Sequence, residues 1–251
     1  MSVCKLMPRI PDTIHLPGDS EAHIWTAFLS ECLQQLGYYA QLLSLEERDK
    51  ADRFHRPDDR ARSIVSHGIL RYLLGTYLSV EPAELGFVQN VFGKPSLVHC
   101  HGRPVLSFNL SHSGDVILFA VTGDHRIGVD IERIRESSEL MEVARAQFSE
   151  REFNALQGLA KEEQTGAFFR CWTRKEAYIK ARGEGLGFPL RQFSMSIGRV
   201  DPPVVLWVAD DPEAAGRWSV SDFSDLAGYA GAVVCEGGST RFVRRRWMVA
   251  D

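Results

Sequence analysis

A helix that has to stop on a run of glycines constrains this chain more than any other feature. In the stretch Trp172-Thr-Arg-Lys-Glu-Ala-Tyr-Ile-Lys-Ala-Arg-Gly-Glu-Gly-Leu186, Trp172, Glu176 and Lys180 recur at four-residue spacing and so stack along one rail. Lys175 lies one position round, on the flank of the same surface. Gly183, Gly185 and Gly187 follow at once and end the helix. A helix that sets one carboxylate among ammonium groups can close a salt bridge within itself. It can also hold a cation and a phosphate side by side.

The rest of the chain decides how much such a helix can be packed against. With 251 residues, it can bury a sizeable core as one large domain or two small ones. A net charge of −4 leaves no basic excess to neutralise a nucleic-acid backbone, which argues against a dedicated nucleic-acid binder. Five scattered cysteines (Cys4, Cys32, Cys100, Cys171, Cys235), none at C-x-x-C spacing, predict free thiols and a cytoplasmic location. No apolar run approaches the length of a membrane span, and no basic-then-apolar leader opens the chain.

Taken in order, prolines break up the opening, and a short helix is expected over 21–36. Ser44-Leu-Glu-Glu47 is a capping box, opening a helix that should stop before Pro57. Asp58 or Asp59 can cap a long buried helix over about 60–78, whose first turn carries Arg62, a cation in want of an anion there. Phe92-Gly-Lys-Pro95 is a turn carrying Lys94. Strands are expected over 116–121 and 127–134. In the second, Ile127, Val129 and Ile131 share one face, while Gly128, Asp130 and Glu132 share the other. A second capping box, Ser149-Glu-Arg-Glu152, precedes the central helix over about 164–182, and β segments follow Pro189. Both halves thus show a capped helix, a longer helix and then strands, which suggests two α/β lobes meeting near 122–128.

Asp130, Glu132 and Glu176 converge if the central helix packs across the strand over 127–134. Three carboxylates together repel one another unless a cation joins them. Magnesium takes such oxygens together with substrate phosphates, which Lys175 and Lys180 would then hold. The competing account pairs Glu176 with Lys180 in an ordinary i, i+4 bridge and leaves Asp130 and Glu132 in solvent. His112, Lys94 and Arg62 each read as surface groups or as anion contacts. His99-Cys-His101 is a weak metal tract, the glycine run 183–187 is not a P-loop because it ends a helix, and Arg244-Arg-Arg246 reads as a solvated tail, with a local dock for an acidic partner as the second reading.

Five motifs occur in order: residues 53–62, Phe92-Gly-Lys-Pro95, Phe108-Asn-Leu-Ser-His-Ser-Gly114, Ile127-Gly-Val-Asp-Ile-Glu132, and Trp172-Thr-Arg-Lys-Glu-Ala-Tyr-Ile-Lys180. Together they resemble the phosphopantetheinyl transferases of the single-chain, surfactin-synthetase-activating type, over roughly residues 44–190. The resemblance implies an α/β (α+β) fold of two similar lobes related by a pseudo-twofold, here 1–126 and 127–251. The resemblance places a coenzyme A cleft between them.

It also implies magnesium-dependent transfer of the 4′-phosphopantetheine arm of coenzyme A to a serine of an acyl or peptidyl carrier protein, with adenosine 3′,5′-bisphosphate released. Asp130, Glu132 and Glu176 match the metal ligands; Arg62, Ser111 and His112 match nucleotide contacts; Lys94, Lys175 and Lys180 match phosphate contacts. Glu176, through a water, or Glu152 would take the serine proton. A monomer is expected, with no nucleic-acid or membrane partner. Glu46 and Glu47 stand where some relatives carry lysines, leaving Arg48 and Lys50. The alternatives are a catalytically silent coenzyme A or carrier-binding module on the same fold, and a different magnesium phosphoryl or nucleotidyl transferase. The missing P-loop argues against the last.

Overall fold

The computed structural model describes residues 14–98, 102–198, 203–211 and 213–249. The tract His99-Cys-His101 lies outside the described residues, as do Cys4 and Cys100.

The chain runs through β1 (Glu21–Phe28), α1 (Leu29–Cys32), α2 (Leu36–Leu42), α3 (Leu45–Asp52), α4 (Pro57–Leu78), β2 (Phe87–Gln89), β3 (Pro95–Leu97), β4 (Ser107–Ser113) and β5 (Val116–Thr122). The second half repeats this order with β6 (Ile127–Arg133), α5 (Leu140–Gln147), α6 (Glu150–Gln157), α7 (Lys161–Arg182), β7 (Phe193–Met195), β8 (Val205–Val208), β9 (Trp218–Asp222) and β10 (Tyr229–Glu236). A last strand, β11 (Arg241–Arg246), follows. Each half is a strand, a capped helix, a 22-residue helix and two antiparallel pairs of strands.

Four layers result, because both central strands alternate between two apolar sides. In β5, Ile117, Phe119 and Val121 pack toward α4, while Val116, Leu118 and Ala120 pack toward the second sheet. In β10, Val233 and Cys235 join that inter-sheet core, whereas Ala232 and Val234 pack with Ala177 and Ile179 of α7. The first sheet has the order β11-β1-β5-β4 and the second β6-β10-β9.

Both capping boxes form. The Ser44 and Ser149 hydroxyls accept from the amides of Glu47 and Glu152, whose carboxylates accept from the serine amides. Helix α4 begins earlier than expected, with Pro57 in its first turn, where the missing N–H costs nothing; Arg56 is the N-cap, and Asp58 and Asp59 lie in the first turn.

Two expectations are corrected. Residues 21–28 are a strand, not part of a helix: β1 lies between β11 and β5 and is buried on both faces, so Ile24 and Trp25 feed two different cores and blur the alternation. Residues 241–246 are not a solvated tail. β11 pairs in parallel with β1, and the next residue, Trp247, is buried in the first lobe and donates to the Tyr39 hydroxyl at 3.0 Å. Residues 241–247 therefore pack with the first lobe, although they follow the second in sequence.

Candidate active site

The site lies on the seam where β4, an edge of the first sheet, meets β6, an edge of the second. Side chains stitch it. Alternate residues of β4 reach β6: the Asn109 side chain accepts from the Val129 amide (2.8 Å), Ser111 Oγ donates to Asp130 Oδ1 (2.9 Å), and Ser113 Oγ donates to Glu132 Oε2 (2.9 Å). The intervening residues face the other way, Phe108 into the α4 core and His112 toward Arg62 and His67 on α4.

Helix α7 crosses β6 at Gly128. A Cβ there would lie 2.1 Å from the Ala177 carbonyl oxygen and 2.4 Å from the Ala181 amide nitrogen, so only glycine lets the backbones come this close. That approach brings Lys180 over β6, where its ammonium donates to Asp130 Oδ1 (2.7 Å), Ser111 Oγ (3.1 Å) and the Val129 carbonyl (3.3 Å). The helix-internal bridge weighed above gives way to one between α7 and β6: Lys180 pairs with Asp130. Trp172, two turns earlier, stacks on Phe168 and packs against Phe148, which seats the helix.

Asp130 is 4 % exposed, and its second oxygen, Oδ2, is buried without a hydrogen-bond partner. Glu132 and Glu176 flank it. Burial, then repulsion from Asp130 and Glu132, pushes the Glu176 carboxyl above the usual range against the pull of Lys180. Burial and repulsion from Asp130 raise Glu132 likewise, with Ser113 opposing. Buried carboxylates that depress one another's ionisation, one with an unbonded oxygen, are what a hard divalent cation relieves. Among the described residues no group of three His, Cys, Asp or Glu side chains is already closed into a metal cage. The donor set fits the ion in chemistry; the side chains would have to draw in around it.

The other predicted residues separate into two groups. Arg62 pairs with Asp59 at 2.7 Å and keeps its Nε buried and unbonded, while its charge helps hold His112 low, after desolvation of the imidazole. A cavity of about 700 Å³ is lined by Lys50, His67, Arg71, Phe108, Gly93 and Pro95, among others; Arg62 and His112 are not in its lining. Lys94 donates to the Ile127 and Ala181 carbonyls (3.1 and 3.2 Å); burial, then Arg126, brings its pKa down to about 8.

Lys175 and Glu152 do not reach the seam. Both are fully buried, 0 % exposed at the side chain, and paired through both carboxylate oxygens at 2.8 and 2.7 Å. The Lys175 ammonium also donates to the Phe193 carbonyl, and Glu152 accepts from the Met195 amide, each at 2.7 Å. Here the structure corrects the expectation that Lys175 meets phosphate and that Glu152 could serve as base. One position round from Glu176 turns Lys175 into the core of the second lobe, where Glu152, in its capping box, neutralises it. Of the serines bonded to β6, the motif assigns only Ser111 a part, as a nucleotide contact, and assigns none to Ser113. Their bonds to Asp130 and Glu132 went unseen because they depend on a register between two sheets.

Comparison with known proteins bears on this geometry. Residues 126–234 match the model described as the 4′-phosphopantetheinyl transferase superfamily, and residues 25–123 match 4′-phosphopantetheinyl transferase, N-terminal. The 4′-phosphopantetheinyl transferase HetI of Nostoc sp. is 38 % identical over 196 residues, covering 78 % of this chain and 81 % of HetI. This chain belongs to the 4′-phosphopantetheinyl transferases. The transferase Sfp of Bacillus subtilis is 31 % identical over 159 residues, 63 % of this chain and 68 % of Sfp. A solved holo-[acyl-carrier-protein] synthase of Thermotoga maritima aligns over 46 % of this chain and 63 % of its own, at 22 % identity and a TM-score of 0.36, a distant likeness. As a transferase of the Sfp type, the chain has the mixed α/β fold and the enzymatic class its motifs implied.

Proposed function

We propose that this transferase moves the 4′-phosphopantetheine arm of coenzyme A onto a serine of an acyl or peptidyl carrier protein, with Mg2+ held by Asp130, Glu132 and Glu176. The observation that carries this reading is Asp130: one oxygen held by Lys180 and Ser111, the other buried and free beside two carboxylates with raised pKa values. A divalent ion bound there would neutralise the diphosphate and polarise its oxygens.

The chain's own groups supply the rest. The cavity beside α4, with Lys50 and His67 on its wall, suits the nucleotide, and Arg62 and His112 suit its 3′-phosphate. Lys94 and Lys180 flank the seam and suit the diphosphate. In the reaction the serine oxygen forms a bond to the phosphorus that carries pantetheine, and the bond from that phosphorus to the bridging oxygen breaks. The electron pair leaves with adenosine 3′,5′-bisphosphate, whose growing charge the ammonium groups stabilise. The serine proton passes to a carboxylate at the seam, and Glu176, which lies there, suits that role better than the sealed Glu152.

No helix of the described residues is long and apolar enough to cross a membrane, and we place the reaction in the cytoplasm with the enzyme as a monomer. The test is intact mass of several apo carrier proteins incubated with the enzyme, coenzyme A and Mg2+. A mass gain of one phosphopantetheine on the carrier serine is expected. No gain on any of them, with a known transferase active in parallel, would overturn the reading.

A further inference from the structure

The last turn of α7 ends on carbonyls that the helix cannot bond itself, and the other lobe bonds two of the acceptors there. Lys94 donates to the Ala181 carbonyl, and the Asn90 side-chain amide donates to the Gly183 carbonyl at 2.7 Å. Both donors come from the turn between β2 and β3, in the first lobe. That turn is shaped by the same asparagine: Asn90 Oδ1 accepts from the amides of Phe92 (3.0 Å) and Lys94 (2.9 Å). The glycine run is its seat. Gly183 lies in the left-handed region (φ 75°), where a Cβ would press within 3.1 Å of the Lys94 side chain, and Phe92 lies against Gly185 and Gly187.

We infer that Asn90 is a positioning residue for coenzyme A. Its side chain locks the turn over 90–94 onto the end of α7, so that Lys94 stays at the seam with one ammonium hydrogen left for a phosphate oxygen. The inference rests on the reading of Lys94 as a coenzyme A contact. An ammonium has three hydrogens, and two are given to Ile127 and Ala181, so the direction of the third is set by where those two carbonyls stand. Asn90 controls that geometry at both ends. It holds the Lys94 amide through Oδ1 and the adjoining helix end through Nδ2. Without it the turn keeps its backbone bonds, Asn90 N–H to the Lys94 carbonyl and Gly93 N–H to the Asn90 carbonyl, but loses its side-chain acceptor and the bond to Gly183, and Lys94 loses the direction of approach.

A double-mutant cycle on coenzyme A affinity, read by calorimetry, tests this without requiring transfer to any carrier. Asn90→Ala should weaken coenzyme A binding about tenfold in the wild-type background and less than about twofold in Lys94→Ala, because an effect exerted through Lys94 vanishes with it. Asn90→Asp keeps the acceptor for the turn and loses only the bond to Gly183; it should fall between wild type and Asn90→Ala. Equal losses in both backgrounds would overturn the inference, as would unchanged affinity in Asn90→Ala. If wild type binds no coenzyme A, the functional reading itself fails; if it binds and the cycle is additive, only the role of Asn90 does.

Discussion

Lys180 on α7 and Asp130 on β6 are joined at 2.7 Å across the two elements, and the bond uses one carboxylate oxygen while leaving the other buried and free. Asp130→Asn keeps the size of the side chain and removes its charge. We expect the variant to fold and to lose the stabilisation that Mg2+ gives. In wild type the expected gain is about 2.7 kcal/mol when the ion is at a hundred times its Kd. Thermal melting with and without Mg2+ checks it, and an undiminished shift in Asp130→Asn would remove Asp130 from the ligand set. Glu176→Gln should likewise stay folded, with transfer reduced on the order of 10²-fold or more.

The carboxylates of Glu132 and Glu176 titrate above the ordinary range, chiefly through burial and then through their neighbours. A raised folded pKa means that the folded protein takes up protons more readily than the unfolded chain. Its contribution to stability is therefore present at low pH and lost as pH rises through the raised pKa. Without metal, wild type should lose more stability than Glu176→Gln over that rise. Added Mg2+ should restore it, releasing protons as it binds. Urea unfolding of both proteins between pH 4 and 8, in chelator and in Mg2+, reads the difference. Parallel curves in chelator would mean that Glu176 is not strained.

Lys94 carries its charge only up to about pH 8, because its ammonium is buried beside Arg126. A phosphate contact needs the ammonium form, so kcat/KM for coenzyme A should fall as pH rises through about 8, the value for the free enzyme. Lys94→Arg keeps the charge far above that pH and should move the falling limb upward, at some loss of overall rate because a guanidinium cannot copy the two carbonyl bonds. A limb that stays in place in Lys94→Arg would belong to another group.

Periodicity made the framework legible in the sequence. The capping boxes, both long helices and the faces of β6 stand where Ser44, Ser149, Gly128 and Asp130 placed them. What stayed hidden depends on long-range register. A strand buried on both sides, such as β1, has no polar face to reveal its period. The parallel pairing of β11 with β1 joins residues some 220 positions apart, and no local signal marks Trp247 as core. The site was legible as a set of residue types and less so as contacts. Lys175 and Lys180 look alike in sequence, yet five positions turn one into the core and hold the other over Asp130.

The pair of Glu152 and Lys175 is a test of that division. A buried ion pair that loses one partner leaves an uncompensated charge and costs about 3–5 kcal/mol, whereas replacing both by apolar groups is often close to neutral. Lys175→Met should therefore unfold at much lower urea, and Glu152→Leu with Lys175→Met should recover only part of the loss, because it also leaves the Ser149 and Met195 amides and the Phe193 carbonyl without these partners. The double variant should also keep transfer activity within about tenfold, because neither residue touches substrate. Recovery of stability without recovery of transfer would give one of them a chemical part after all.

Gly128 sets the distance between β6, which carries Asp130 and Glu132, and the helix that carries Glu176 and Lys180. Gly128→Ala would drive a methyl group into the backbone of α7 at Ala177 and Ala181, neither of which can swing aside as a side chain does. Overpacking of this kind costs about 1–3 kcal/mol and sometimes more, and we expect the upper end or beyond. What survives folded should have α7 pushed off β6, with Lys180 drawn back from Asp130 and weaker Mg2+ binding. Gly37→Ala is the control. Gly37 lies in α2 with open space around its α-carbon, and the change should be neutral or stabilise by roughly 0.5–1 kcal/mol. Denaturant melts of the two variants compare them directly. A Gly128→Ala protein as stable as Gly37→Ala, with wild-type Mg2+ affinity, would mean that β6 and α7 are not held at the close approach on which the site is built.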